Sequence, residues 1–425
     1  MTSMIRALLT IVLTLASSRL TQAETALIPP RPIVWKDFLG VNAHFLWFTT
    51  DQVVRQIEYM KGLGLEWARV DLHWDRHEPE EGRYVLKSLD DVVAILKTQQ
   101  LRSVFYLVGS APFATSAPFF SRTPDQYPPK DPRLFAQRMT MLAQRYPSVD
   151  AWQVWNEPNL PGFWRPTENP RGYGELLLAS VQAKSLVMAG MAYYSQMPVK
   201  GGLMLEELGR MGALGLGAVV AYHPYSLQPE GDDPKARDFF VRGRELNSRL
   251  RTVKVAGIWA TEWGWSSYAG PKEEQPIIGQ GGQADYLLRR LAMMSAMDYD
   301  RIFLFALSDL DDRASIRDRA YGLLDLSGRP KPAYIALANF LSVCGPRLIP
   351  GRRPILVQEA RGQYSVAWDR PDGTHLWLFW ADELGPITLQ GIQAARLFQP
   401  LTGGWQTLRV TQSGIQVQAT RQLQI

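Results

Sequence analysis

Apolar positions along most of this chain alternate between two periods. Short runs with β character recur, and stretches spaced three and four residues apart lie between them. The runs are Phe38–Phe45, Leu65–Leu72, Leu101–Val108, Asp150–Asn156, Val199–Leu203, Ala218–His223, Ala256–Glu262 and Arg301–Ser308. The third, sixth and eighth are almost continuously apolar, as parallel strands covered on both faces should be. Pro198 and Gly201-Gly202 blur the fifth. Helical spacing falls at Asp51–Lys61, where Val53, Ile57 and Met60 share a side and Thr50 can cap the start. It recurs at Leu89–Gln99, Pro132–Arg145, Tyr173–Ala189, Ala236–Leu250 and Gln283–Met297. Eight strands, each followed by a helix, predict a (β/α)8 barrel, with bounds placed at 36–343.

Past Gly345-Pro346 the pattern changes to short alternating stretches such as Tyr364–Trp368 and His375–Trp380, parted by Asp372-Gly373, Leu384-Gly385-Pro386 and Gly403-Gly404. That spacing predicts a small C-terminal antiparallel β domain, sandwich-like, over 344–425. The Pro-rich segment Ala26–Trp35 can pack against it.

At the other end, Met1–Ala23 has a basic Arg6, an apolar run from Ala7 to Ala16 and a small-residue finish at Thr21-Gln22-Ala23. This is the make-up of a secretory signal peptide, with cleavage expected near Ala23 and a secreted or periplasmic destination. The apolar run is too short for a permanent membrane span.

Composition sharpens the picture only in places. Aromatic residues are 11% of the 425, including 14 Trp, which suits both core packing and stacking against sugar rings. The formal charge of +5 falls to about +3 without Arg6 and Arg19, and the basic residues are scattered, so nucleic-acid binding is not indicated. An acidic substrate fits that balance weakly. Cys344 is the single cysteine, which excludes an intramolecular disulfide and a Cys-rich metal site.

The chemistry concentrates at two strand ends. Glu157, in VWNEPN, closes the fourth run, and Glu262, in TEWGW, closes the seventh. Catalytic groups of such barrels sit at the C-terminal ends of strands, so the two carboxyls should share one mouth. Two facing carboxyls, one protonated and one ionised, are what glycoside hydrolysis requires. Asn156 can bond a sugar hydroxyl, and Pro158 should keep Glu157 out of helical geometry and the strand end extended. Asn-Glu-Pro arises by chance in roughly one chain of this length in twenty, so it persuades only together with Glu262.

The motifs GVNAHF (Gly40–Phe45), WARVDLHW (Trp67–Trp74), VWNEPN (Val154–Asn159), AYHPY (Ala221–Tyr225), TEWGW (Thr261–Trp265) and YGLLDLSGRPKPAY (Tyr321–Tyr334) together carry a family likeness. Over most of Phe38–Cys344 the chain resembles glycoside hydrolase family 39, in particular endo-glycosidases associated with bacterial exopolysaccharide biosynthesis. That resemblance implies a retaining enzyme with Glu157 as acid/base and Glu262 as nucleophile, and with Asn156 on the substrate 2-hydroxyl. It implies that Arg69 favours the charged form of Glu262, and that His223 and Tyr225 lie beside the nucleophile and orient it. One departure stands out: many relatives carry a Trp on strand eight as the floor of the reacting-sugar subsite, where this chain has Phe305 and Leu307.

Other residues keep two readings. His44 and His73 serve equally as packing residues or sugar ligands. Trp47, Trp74, Trp164, Trp263 and Trp265 are sugar platforms if exposed and core if buried. His73 and His77 lack the Glu of the zinc-protease pattern and a third ligand, so neither a metal nor a cofactor is expected. Asp309, Asp311 and Asp312 can bind substrate or form a solvated turn. Loops 109–130 and 159–170 are the candidates for substrate selection. The expected function is an exported endo-acting hydrolase of a β-linked polysaccharide or oligosaccharide; an exo-acting β-xylosidase and a non-catalytic carbohydrate-binding protein are the alternatives.

Overall fold

The computed structural model describes residues 26–181, 186–192, 196–197, 202–233, 238–271 and 276–425. The expected signal peptide lies outside them. Eight parallel strands close into a barrel: β1 (Leu39–Asn42), β2 (Trp67–His73), β3 (Arg102–Val108), β4 (Ala151–Val154), β5 (Leu186–Met188), β6 (Val219–His223), β7 (Gly257–Trp263) and β8 (Arg301–Leu304). Each strand pairs with the next, and β8 returns to β1 through Ile302–Leu39, Phe303–Gly40 and Leu304–Val41. Eight helices follow in turn: α1 (Thr50–Gly62), α2 (Lys87–Thr98), α3 (Pro132–Arg145), α4 (Pro170–Ala179), α5 (Met204–Arg210), α6 (Asp238–Thr252), α7 (Gly279–Ser295) and α8 (Pro332–Cys344).

Local chemistry explains the helix starts. Thr49, one residue before the expected cap, accepts from the Gln52 amide while the Gln52 side chain answers the Thr49 amide, a reciprocal capping box. Asp131 and Asn169 cap α3 and α4, each followed by a proline whose missing N–H costs nothing there.

The barrel floor is filled by one side chain from each of the strands β2 to β8. Trp67, Val104, Ala151, Val187, Ala221, Trp259 and Phe303 form one buried layer. Gly40 makes room for it, since a Cβ there would lie 2.7 Å from the Phe303 ring. Below, the Arg301 guanidinium sits 3.6 Å from the Trp67 ring centre and 4.7 Å from that of Trp259.

Two expectations are corrected here. The fifth barrel strand is Leu186–Met188, which bonds β4 through three register pairs, with Met191–Ala192 continuing alongside β6. The helix expected over Tyr173–Ala189 therefore ends at Ala179. Of the expected strand Val199–Leu203, residues 199–201 lie outside the described residues, and Gly202–Leu203 pairs antiparallel with Gln196–Met197 instead. A three-residue apolar strand beside an apolar helix offers no change of period, so its boundary was invisible in the pattern.

The C-terminal part is antiparallel, as expected. β9 (Arg347–Pro350), β10 (Ile355–Gln358), β11 (Gln363–Asp369), β12 (His375–Ala381), β13 (Gly385–Gln390), β14 (Ala395–Gln399), β15 (Gly404–Leu408) and β16 (Gly414–Ala419) build it. The N-terminal segment joins in: Ala26–Leu27 pairs with β11 and Ile33–Val34 with β9. The period of β12 decides what each face meets. Leu376, Leu378 and Trp380 enter the large core shared with the barrel. Trp377, Phe379 and Ala381 face a separate small core with Ile387, Leu389 and Val417. Trp380 also crosses to the barrel by hydrogen bond, donating from Nε1 to Glu230 Oε1 at 2.8 Å.

Candidate active site

Strand β4 ends in an unusual backbone. Trp155 has φ 70° and Glu157 φ 41°, both left-handed, so the strand end is not extended as expected. Pro158 disfavours right-handed helix at Glu157 but ordinarily favours extended backbone, so it does not by itself account for the left-handed φ. Such conformations cost about 1–3 kcal/mol each and persist only where neighbours fix them. Here Trp155 N–H donates to Leu107, and Glu157 N–H donates to Gly190 at 3.1 Å. The Trp155 ring packs on Phe135 and Trp164. The result turns Glu157 into the barrel mouth.

Glu262 enters from the end of β7, and the two carboxyls meet around two bases. Arg69 on β2, 1% exposed, donates to four side chains: Glu262 Oε1 at 2.7 Å, Asn42 Oδ1 at 2.6 Å, Asn156 Oδ1 at 2.8 Å and Gln153 Oε1 at 3.0 Å. Its guanidinium also lies 3.9 Å from the centre of the Tyr106 ring. A buried ion pair is worth keeping only when its remaining hydrogen-bonding groups are satisfied, and here they are. Tyr225 donates its hydroxyl to Glu262 Oε2 at 3.3 Å.

His223 lies between the carboxyls rather than beside the nucleophile alone. Its Nδ1 is 2.8 Å from Glu157 Oε1 and 3.5 Å from Glu262 Oε2, and its Nε2 is 3.0 Å from Thr261 Oγ1. Gly190 is needed for this packing, because a Cβ there would fall 1.8 Å from His223 Nε2. Burial lowers the His223 pKa to about 3, against the pull of Glu262, so the ring is neutral at ordinary pH. Burial raises the Glu157 carboxyl from 4.5 to about 8, with Arg69 only partly opposing it. Glu157 is therefore protonated at neutral pH, while Glu262 is held by a guanidinium and a phenol.

One ligand atom from each of Glu157, His223 and Glu262 lies within 4.8 Å of the others, a spacing a cation could use. Arg69 already supplies the positive charge at 2.7 Å from Glu262, and a metal ion would sit against that like charge. The donor set fits a proton donor facing a carboxylate better than a metal centre.

The structure sorts the remaining candidates. His44 is half-buried and meets Trp47 and Phe305 edge-on. Phe305 occupies the strand-eight position, also edge-on to Tyr321. Trp164 and Trp265 are corrected: both are buried and serve as core. Trp164 packs between Trp155 and Tyr173, and Trp265 donates from Nε1 to Ser226 under the loop that follows β6. Trp74 and Trp263 are likewise core, leaving Trp47 half-exposed with its Nε1 donating to Asp71. Asp309 pairs with Lys331, and Asp311 with Arg313.

Asn42, Gln153, Tyr106, Thr261 and Asp71 complete the mouth and were not singled out in the sequence. The signal was present: each is a polar atom set inside an otherwise apolar strand, which burial tolerates only with partners. Loops 109–130 and 159–170 form one wall, tied where Arg165 donates from its amide and Nε to Gln126. Phe119 and Phe120 stand exposed on that wall.

No family model matches the sequence, and no curated protein matches it. Solved structures do. A family 39 glycoside hydrolase from Bacteroides cellulosilyticus superposes with TM-score 0.67 at 18% identity, over 91% of this chain and 79% of that one. The fold is shared. A GH30 endoxylanase from Clostridium papyrosolvens gives 0.61 at 11% identity, over 95% of this chain and 98% of that one. A monomeric β-xylosidase from Caulobacter crescentus gives 0.57 at 18%, over 84% and 76%. At these identities the likeness establishes the barrel with its β domain; the chemistry rests on the residues at the mouth.

Proposed function

We propose that this chain is a retaining glycoside hydrolase acting on β-linked polysaccharide by double displacement. The observation that carries the reading is the buried array at the ends of β4 and β7: a protonated Glu157 facing an Arg69-paired Glu262, with oxygens within 4.8 Å. That spacing suits direct attack, since inverting enzymes separate their carboxyls by roughly 6.5–9.5 Å to admit a water.

In the first step Glu262 Oε2 forms a bond to the anomeric carbon as the glycosidic C–O bond breaks. Glu157 gives its proton to the departing oxygen. In the second step Glu157, now a carboxylate, takes a proton from water, and that water's oxygen displaces Glu262 from the sugar. Arg69 and Tyr225 hold Glu262 in place, and Asn156, itself fixed by Arg69, is set to reach the sugar hydroxyl next to the reacting carbon. A neutral His223 can donate to Glu157 or accept from it by changing tautomer against Thr261, so both protonation states of Glu157 keep a partner.

The exposed rings of Phe119 and Phe120, with Trp47 at the rim, favour a chain lying across the mouth, hence endo action. The residue pattern of Met1–Ala23 favours export. The test is hydrolysis of a panel of bacterial and plant β-glycans, with product sizes and the anomeric configuration of the first product read by NMR. Retained configuration and mid-chain cuts are expected, and Glu262→Gln should abolish turnover. No turnover on any glycan would favour a binding protein, and single-sugar products an exo enzyme.

A further inference from the structure

A second concavity lies far along the chain from the barrel mouth. It is a cleft of about 880 Å³ within the β domain, between β12, β13 and the β14–β15 hairpin, at the scale of sites that take a drug-sized ligand. Four arginines line it, Arg352, Arg353, Arg370 and Arg396, and none of its lining residues is Asp or Glu. Arg353 and Arg370 pair with Glu359 and Asp372, neither of which lines the cleft. Arg352 and Arg396 are exposed and have no carboxylate partner among the described residues.

The apolar part is aromatic. Trp377 stacks on Phe379 with centroids 4.3 Å apart and planes 17° from parallel. Trp405 stands 51% exposed on a different strand, with the Arg396 guanidinium 4.4 Å from its ring centre.

We propose that this cleft binds a segment of an acidic polysaccharide, a chain bearing carboxylate sugars. Flat indole faces suit the C–H faces of pyranose rings, and the planar fork of arginine suits a carboxylate. A lipid tail would use the apolar lining but leave two exposed arginines idle. A nucleic acid would track a longer run of cations than this cleft offers. The choice of glycan over another polyanion rests on the glycosidase reading of the barrel. Binding here would hold the polymer near the barrel without taking part in cleavage.

The test uses the full chain carrying Glu262→Gln, titrated calorimetrically with polygalacturonate, a neutral β-glucan, dextran sulfate and anionic phospholipid vesicles. Polygalacturonate should bind, the neutral glucan should not, and Arg352→Gln with Arg396→Gln should weaken binding by roughly 10-fold or more. Both substitutions are on exposed side chains, and an unchanged melting temperature keeps the result interpretable. Trp405→Ala gives a second, uncharged route to the same loss. Equal binding by the variants, equal binding of dextran sulfate, or a preference for vesicles would overturn the proposal. The two readings separate cleanly: binding with no turnover by the unmutated protein would sink the glycosidase reading alone, and turnover without binding would sink the cleft alone.

Discussion

Arginines serve opposite purposes at the barrel mouth and in the β-domain cleft. Arg69 is buried and fully engaged, with four side-chain acceptors already in place. Arg352 and Arg396 are exposed, with no carboxylate partner among the described residues. A buried charge must be satisfied by the protein itself, so it can only orient groups already present. An exposed charge keeps its hydration until a ligand replaces it, so it can recognise something new. The first arrangement suits chemistry and the second suits capture.

The largest effects should come from breaking the buried arrangement. Glu157→Gln should lower kcat by about 10²–10⁴-fold while leaving the fold intact, checked by steady-state kinetics beside circular dichroism. Arg69→Met should strand Glu262 as an unpaired buried carboxylate, at about 3–5 kcal/mol of stability by urea unfolding. Arg69→Lys, which keeps the charge but loses the fork, should hold more stability than activity.

The pH dependence sharpens the same contrast. kcat/KM should fall as pH rises through about 8, where Glu157 loses its proton, and Glu157→Gln should remove that limb from any residual activity. Stability should follow with a definite sign. The folded carboxyl holds its proton up to about 8, whereas the unfolded one releases it near 4.5. Stability therefore declines as pH rises between those values. Glu157→Gln should raise the melting temperature at alkaline pH and change it little near pH 4.

Smaller effects should come from the supports. Gly190→Ala puts a methyl into His223 and should lower kcat by roughly 10-fold with KM little changed, as a misplaced catalytic group does. Trp380→Phe removes the one indole hydrogen bond that ties β12 to Glu230, and should cost about 1 kcal/mol in thermal unfolding. Glu230 also accepts from buried Arg289, and the neighbouring Arg290 holds the carbonyls of Pro224 and Pro229 around the loop that carries Tyr225. A drop in kcat alongside the stability loss would link the β domain to the nucleophile. An unchanged kcat would leave it a purely structural contact.

Much of this was legible in one dimension. Strong alternation between strand and helix periods announced the barrel, because parallel strands buried on both faces cannot avoid apolar runs. Polar residues at strand ends announced Glu157 and Glu262, because a carboxylate at the edge of such a run needs a reason. The strand at Leu186–Met188 escaped, since three apolar residues beside an apolar helix carry no period of their own. Trp164 and Trp265 escaped too, since a tryptophan reads the same in sequence whether it stacks on a sugar or on Trp155.

What the sequence determined by itself was therefore the repeated strand–helix unit and the two carboxyls, both set by local periodicity and residue type. What only the tertiary structure decided was how charge is shared at the mouth. His223 turned out to face Glu157, Gly190 to make way for it, and Asn42 from β1 with Gln153 and Asn156 from β4 and its end to converge on one guanidinium. The β-domain cleft is of the same kind, its arginines and tryptophans drawn from separate strands and loops. Burial and proximity between distant residues fix pKa values and hydrogen-bond partners, and no pattern along the chain records them.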